Sequence, residues 1–137
     1  MTDFFNLSMS KEQILQLSNL GLAHMGDAVF DLLVRAYLCA KGIKSAKSLH
    51  NNTVAIVSAK AQAAGVRGVL SMLNEQEQQV FNRGRNAKVN SVPKGASMED
   101  YHLATGFETL LGFLYISGQT GRINELFNRF LKCHEEE

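Results

Sequence analysis

Apolar side chains recur along this chain at the three-and-four spacing of helices, and the alternation expected of strands is weak. The clearest segment is LAHMGDAVFDLLVRAYL, residues 22–38. There Leu22, Met25, Val29, Leu32, Leu33 and Ala36 predict one buried helical face. That helix covers about 20–40 and stops before Gly42. A short helix precedes it, opened by Ser10 and Gln13 in capping-box spacing. Further helices are predicted from near Ser45, over about Thr53 to Ala64, and over VRGVLSML. Asn74 is placed to cap the next, with Glu77 three residues on and Val80 and Phe81 as its apolar face. It runs into RGRNAKVNSVPKGAS, read as a loop around Pro93, the one proline. Ser97 to Asp100 repeats the capping spacing and opens a helix over about 98–117 that ends at Gly118. A last helix, from about Gly121, packs through Ile123, Leu126, Phe127, Phe130 and Leu131. With no repeat, low-complexity tract or linker in view, the expectation is an all-α single domain over residues 1–137.

Composition agrees with a packed core: of 137 residues, 45% are hydrophobic and 20% charged, far from a disordered composition. No apolar run reaches the ~18 residues of a membrane span. The opening MTDFFNLSMSKEQ has neither a basic start nor a long apolar stretch, so no secretory leader is expected and the expected location is cytoplasmic. The two cysteines, Cys39 and Cys133, form no CxxC pair. They read as free thiols and give no support to a zinc site.

Charge changes the picture. The net charge is only +1, yet residues 32–98 hold ten Lys or Arg against two Glu, a local net of +8. A basic middle between acidic flanks suits a polyanionic partner; lysines scattered over solvated helix surfaces would give the same count.

Two long apolar helices each carry an acid at mid-length. Asp27 follows Gly26, and Glu108 sits between Gly106 and Gly112 among Phe107, Leu110, Leu111 and Leu114. If the helices pack together through their glycines, the carboxylates converge. Converging carboxylates raise each other's pKa, and a hard divalent cation such as Mg²⁺ relieves the repulsion. Such an ion beside a basic surface points to phosphodiester hydrolysis. The alternative from spacing alone is that both acids are exposed or paired with arginines. Asp31 already has such a partner, Arg35 one turn on.

HMGDAVFDLLV resembles the signature helix of the ribonuclease III endonuclease domain, and TGFETLLGFLY resembles its second catalytic helix. VSAKAQA and RGRNAKVNSVPK narrow the likeness to the short mini-ribonuclease III branch, over roughly residues 15–117. The resemblance implies a helical, homodimeric endonuclease domain that cleaves double-stranded RNA with Mg²⁺. It further implies trimming of the ends of the large-subunit (23S) ribosomal RNA precursor. Asp27 matches the signature aspartate and Glu108 the metal-binding glutamate, so both are expected as catalytic metal ligands. The larger enzymes carry two more acids where this sequence has Ala23 and Thr105, as the mini branch does. Water or RNA phosphate then fills more of the ion's shell, and metal binding in the free protein is expected to be weaker. His24 is expected to be a partly buried polar residue rather than a general base.

The mini branch lacks a separate double-stranded-RNA-binding domain, and none is expected here. Affinity must then come from phosphate contacts on this domain. RGRNAKVNSVPK offers Arg83, Arg85, Lys88 and Lys94, with Asn86 and Asn90 for ribose hydroxyls. Lys60 and Gln62 in VSAKAQA are further candidates, although Lys60 also reads as a side chain lying along a packed helix. The leading expectation is an endoribonuclease. The competing readings are a non-catalytic helical double-stranded-RNA-binding module in ribosome assembly and a helical adaptor for another protein. The flank from Leu32 to Leu38 is the expected part of a dimer interface.

Overall fold

The computed structural model describes residues 1–87 and 96–135, and these form an all-α fold with no strand among the described residues. Seven helices follow in order: α1 Lys11–Leu15, α2 Asn19–Ala40, α3 Ala46–Val57, α4 Ala59–Val69, α5 Glu75–Arg85, α6 Met98–Ile116 and α7 Thr120–Glu135. A single 3₁₀ turn, Leu70–Met72, joins α4 to α5. Side-chain caps open each of the first six helices: Ser10, Ser18, Ser45, Ser58, Asn74 and Ser97 each accept a backbone N–H, and the capping spacing read from the sequence predicts those at Ser10, Asn74 and Ser97. Gly42 after α2 (φ 91°) and Gly118 after α6 (φ 81°) adopt the left-handed conformation that stops a helix cheaply only at glycine.

Three expectations are corrected. The helix expected over Thr53 to Ala64 is broken at Ser58, which is extended (φ −58°, ψ 148°) and caps α4 through Ala61 N. The apolar spacing runs straight through this serine, but its hydroxyl competes for the backbone. VRGVLSML is no separate α-helix: it completes α4 and then tightens into the 3₁₀ turn. Arg83 and Arg85 belong to the last turn of α5 rather than to a loop, where cations suit the negative end of the helix dipole.

α6 is the central element, buried on nearly every side by α2, α5 and α4, with α7 closing over α4. This explains its almost unbroken apolar sequence. Four phenylalanines fix the centre. Phe30 meets Phe130 edge-on at 5.1 Å between ring centroids and Phe107 edge-on at 5.8 Å. Phe130 stacks on Phe107 at 5.7 Å and on Phe127 at 6.0 Å. Truncating one such ring typically costs about 3–5 kcal/mol.

The buried face of α2 is rotated from the expected one. Leu22, Gly26, Val29, Phe30, Val34 and Leu38 are inside, whereas Ala36 is exposed and Leu32 is 55% exposed. Of the flank expected at a dimer interface, Leu32 is therefore a large side chain free to meet a partner, while Val34 and Leu38 are committed to the core.

A buried ion pair locks α5 to α7. Arg122 donates from Nε to Glu77 Oε2 (2.8 Å) and from Nη2 to Glu77 Oε1 (2.9 Å) and Met72 O (2.7 Å). Burial pushes the Glu77 carboxyl up, but hydrogen bonds from Arg122 and Asn74 outweigh it and hold the group below its ordinary range.

Candidate active site

The site begins with glycine. A Cβ built on Gly26 would overlap the Glu108 carbonyl oxygen and lie 2.9 Å from Gly112 N; one built on Gly112 would overlap Leu22 O. The backbones of α2 and α6 therefore touch directly, which larger residues at these positions forbid. Asp27 follows Gly26 on α2, so this contact sets its carboxylate beside that of Glu108. Both line one open cavity of about 340 Å³, with Leu20, Ala23, His24, Tyr101 and Thr105. At ~30 Å³ of liquid per water, that volume accepts an ion together with its water shell.

Asp27 lies at the exposed mouth and Glu108 is half-buried behind it. Burial first, then the hydrogen bond and negative charge of Asp27, push the Glu108 carboxyl up to about 9. The amide of Gln62 opposes this as a hydrogen-bond donor. Without a cation, Glu108 thus keeps its proton at neutral pH. Two carboxylates crowded this way suit a hard divalent cation, which replaces the proton and removes the repulsion. Few other protein ligands are at hand. Among the described residues no cluster of three or more His, Cys, Asp or Glu stands at metal-binding range. The Thr105 hydroxyl donates to Tyr101 O at 2.9 Å. Water or a substrate phosphate would complete the shell.

The other expected residues fall in different places. Asp31 pairs with Arg35 at 3.0 Å outside the cavity, as its spacing predicts. His24 is exposed at the cavity mouth rather than partly buried. Arg83, Arg85 and Asn86 are exposed at the end of α5 and Lys60 in the first turn of α4; none lines the carboxylate cavity. Gly84, between the two arginines, rests on Thr109, the residue after Glu108. The basic turn is thereby anchored against the helix that carries the acid. Lys88, Asn90 and Lys94 lie outside the described residues. Arg67, counted in the basic span, is held by Asp100 at 2.9 Å.

Gln62 is the correction of most consequence. Expected as a surface RNA contact, it is 2% exposed, and its Nε2 donates to Ala104 O at 3.4 Å. The sequence signal was a polar residue within the buried stripe Gln62, Ala63, Val66 and Val69 of α4. A larger cleft of about 800 Å³ opens beneath α1, lined by Ile14, Leu17, Val80 and Phe113 among others. It contains no carboxylate, whereas the smaller cavity holds two, Asp27 and Glu108.

Comparison with known proteins agrees with this geometry. A family model described as the ribonuclease III domain matches residues 20–119. A Mini-ribonuclease 3 of Clostridium tetani is 38% identical over 134 residues, covering 97% of this chain and 89% of its own length. One of Thermoanaerobacter sp. is 41% identical over 128 residues, covering 93% and 90%. The crystal structure of protein FN1578 from Fusobacterium nucleatum superposes with a TM-score of 0.78 at 28% identity, covering 90% of this chain and 98% of that one.

Proposed function

The chain belongs to the ribonuclease III family and is an endoribonuclease for double-stranded RNA, and from that premise we propose that Asp27 and Glu108 are its catalytic metal ligands, that the metal is Mg²⁺, and that its substrate is the precursor of large-subunit (23S) ribosomal RNA. The observation that carries this reading is the convergence of the two carboxylates in one open cavity between α2 and α6. A bound Mg²⁺ would supply an activated water and offset charge on the phosphoryl oxygens. Asp27, at the exposed mouth, and Glu108, half-buried behind it, would hold the ion, and Glu108 would do so as the deprotonated carboxylate. The glycine contact of α2 on α6 fixes the backbones that carry both carboxylates before substrate arrives.

Arg83, Arg85, Asn86 and Lys60, with Lys88 and Lys94, are proposed to hold the RNA duplex by its phosphates and ribose hydroxyls. All four described members of this set are exposed, as that role requires. Cutting both strands of a duplex needs two sites in matched orientation, which a two-fold homodimer provides. The proposed location is the cytoplasm, and no described helix is long and apolar enough to cross a membrane.

The decisive experiment incubates the protein with precursor ribosomal RNA, with and without Mg²⁺, and maps the new ends. Discrete Mg²⁺-dependent ends near the mature termini are expected. Binding of duplex RNA with no cleavage at any Mg²⁺ concentration would instead favour a non-catalytic RNA-binding module. Sedimentation at micromolar concentration should give a dimer; a monomer cutting both strands together would refute the assembly.

A further inference from the structure

Gln62 is buried on a helix that carries neither acid. The stripe around it on α4 is apolar, and Ala63, Val66 and Val69 are at most 1% exposed. A primary amide buried in such a stripe is costly unless its hydrogen bonds are satisfied, and an apolar residue of similar volume would avoid that cost. Its Nε2 reaches Ala104 O, the carbonyl one turn before Glu108 on α6. An amide nitrogen carries two hydrogens. With one directed at Ala104 O, the other is available to the Glu108 carboxylate, which Gln62 meets as a hydrogen-bond donor.

We propose that Gln62 is a positioning residue for Glu108: a buried amide, braced on the Ala104 carbonyl, that holds the Glu108 carboxylate in the orientation that receives the metal ion. The inference rests on the reading of Asp27 and Glu108 as metal ligands. Glu108 has a long side chain with three rotatable bonds. Once Glu108 is ionised, Asp27 cannot hold it in place, because two carboxylates only accept hydrogen bonds. Gln62 supplies a neutral donor from behind and leaves the cavity side of Glu108 open. Outer-shell donors to metal-binding carboxylates commonly contribute about 10–100-fold in metal affinity or activity.

Gln62→Met keeps the length and volume of the side chain and removes the amide; Gln62→Asn keeps the amide and withdraws it by one methylene. Mn²⁺ binding to each RNA-free protein is measured by calorimetry, alongside thermal unfolding and steady-state cleavage of a duplex RNA. Both variants are expected to bind Mn²⁺ roughly 10-fold more weakly and to lose kcat by a similar factor. KM for the duplex should be unchanged, because Gln62 does not reach the surface. If Gln62→Met fails to fold, Gln62→Asn decides. A lowered melting temperature with Mn²⁺ affinity and kcat unchanged would show that Gln62 only supports the fold, and would overturn the proposal. Asp27→Asn is measured in parallel. If it too binds Mn²⁺ and cleaves like the parent, the metal-site reading itself fails. If it abolishes Mn²⁺ binding while both Gln62 variants match the parent, only the role of Gln62 is refuted.

Discussion

Gly26 lies against the carbonyl of Glu108 with no room for a methyl group between them. The residue that would be a neutral alanine elsewhere on a helix surface is here the spacer between the two helices that carry Asp27 and Glu108. Gly26→Ala must push α2 away from α6 or bend one of them. Overpacking of this kind costs about 1–3 kcal/mol, and here the obstacle is backbone that cannot rotate aside. A lower denaturant midpoint is expected, together with a loss of cleavage larger than the unfolded fraction explains. A variant of parental stability and activity would contradict the direct backbone contact.

Asp27→Asn and Glu108→Gln each remove a charge and keep the volume. Each is expected to reduce kcat by several orders of magnitude while leaving the melting temperature at or above that of the parent. On the proposal that both serve one ion, the double variant should be little worse than either single one. Multiplicative losses in single-turnover cleavage would show that the two acids do not share a site.

The raised Glu108 pKa has a pH signature. Its folded value of about 9 lies above its ordinary 4.5, so the metal-free fold favours the protonated form. The stability this group contributes is fully present below 4.5 and is lost as pH rises through 9. Metal-free unfolding should show that downward trend towards alkaline pH, and Glu108→Gln should remove it. Mn²⁺ at the proposed site would displace the same proton, so its affinity should climb by up to roughly 10-fold per pH unit between pH 6 and 8. Flat affinity across that range would mean that no proton leaves when the ion binds.

The basic turn at the end of α5 should behave differently from the acids. Arg85→Ala removes a proposed phosphate contact and no proposed metal ligand, so KM for duplex RNA should rise with kcat nearly preserved. The salt dependence of binding should become shallower by roughly one unit, a value taken from DNA. Lys88→Ala should act the same way. An unchanged salt slope with a fallen kcat would place Arg85 in the chemistry or the fold instead.

Much of this protein was legible in the order of its residues. The serine and asparagine caps, the stop at Gly42 and the aromatic stripe of α7 are local effects, decided within a turn or two of chain. The pairing of Asp27 with Glu108 was also readable, because each acid lies beside glycines on a long apolar helix, and small residues allow such helices to meet. What periodicity could not decide was which side of a helix faces inward when several sides are apolar. α2 turned Leu32 and Ala36 outward and Val34 and Leu38 inward because α3, α6 and α7 surround it unequally. Nor could spacing tell that Gln62 is interior, since a glutamine one turn into a helix reads as surface until α4 is seen packed on α6. The raised Glu108 pKa belongs to the same class. It arises from burial and from a charge 81 positions away in the chain, brought near only by the contact of α2 with α6. Local hydrogen bonding sets where helices begin and end; long-range packing sets which side chains share a cavity, and so what chemistry they can do.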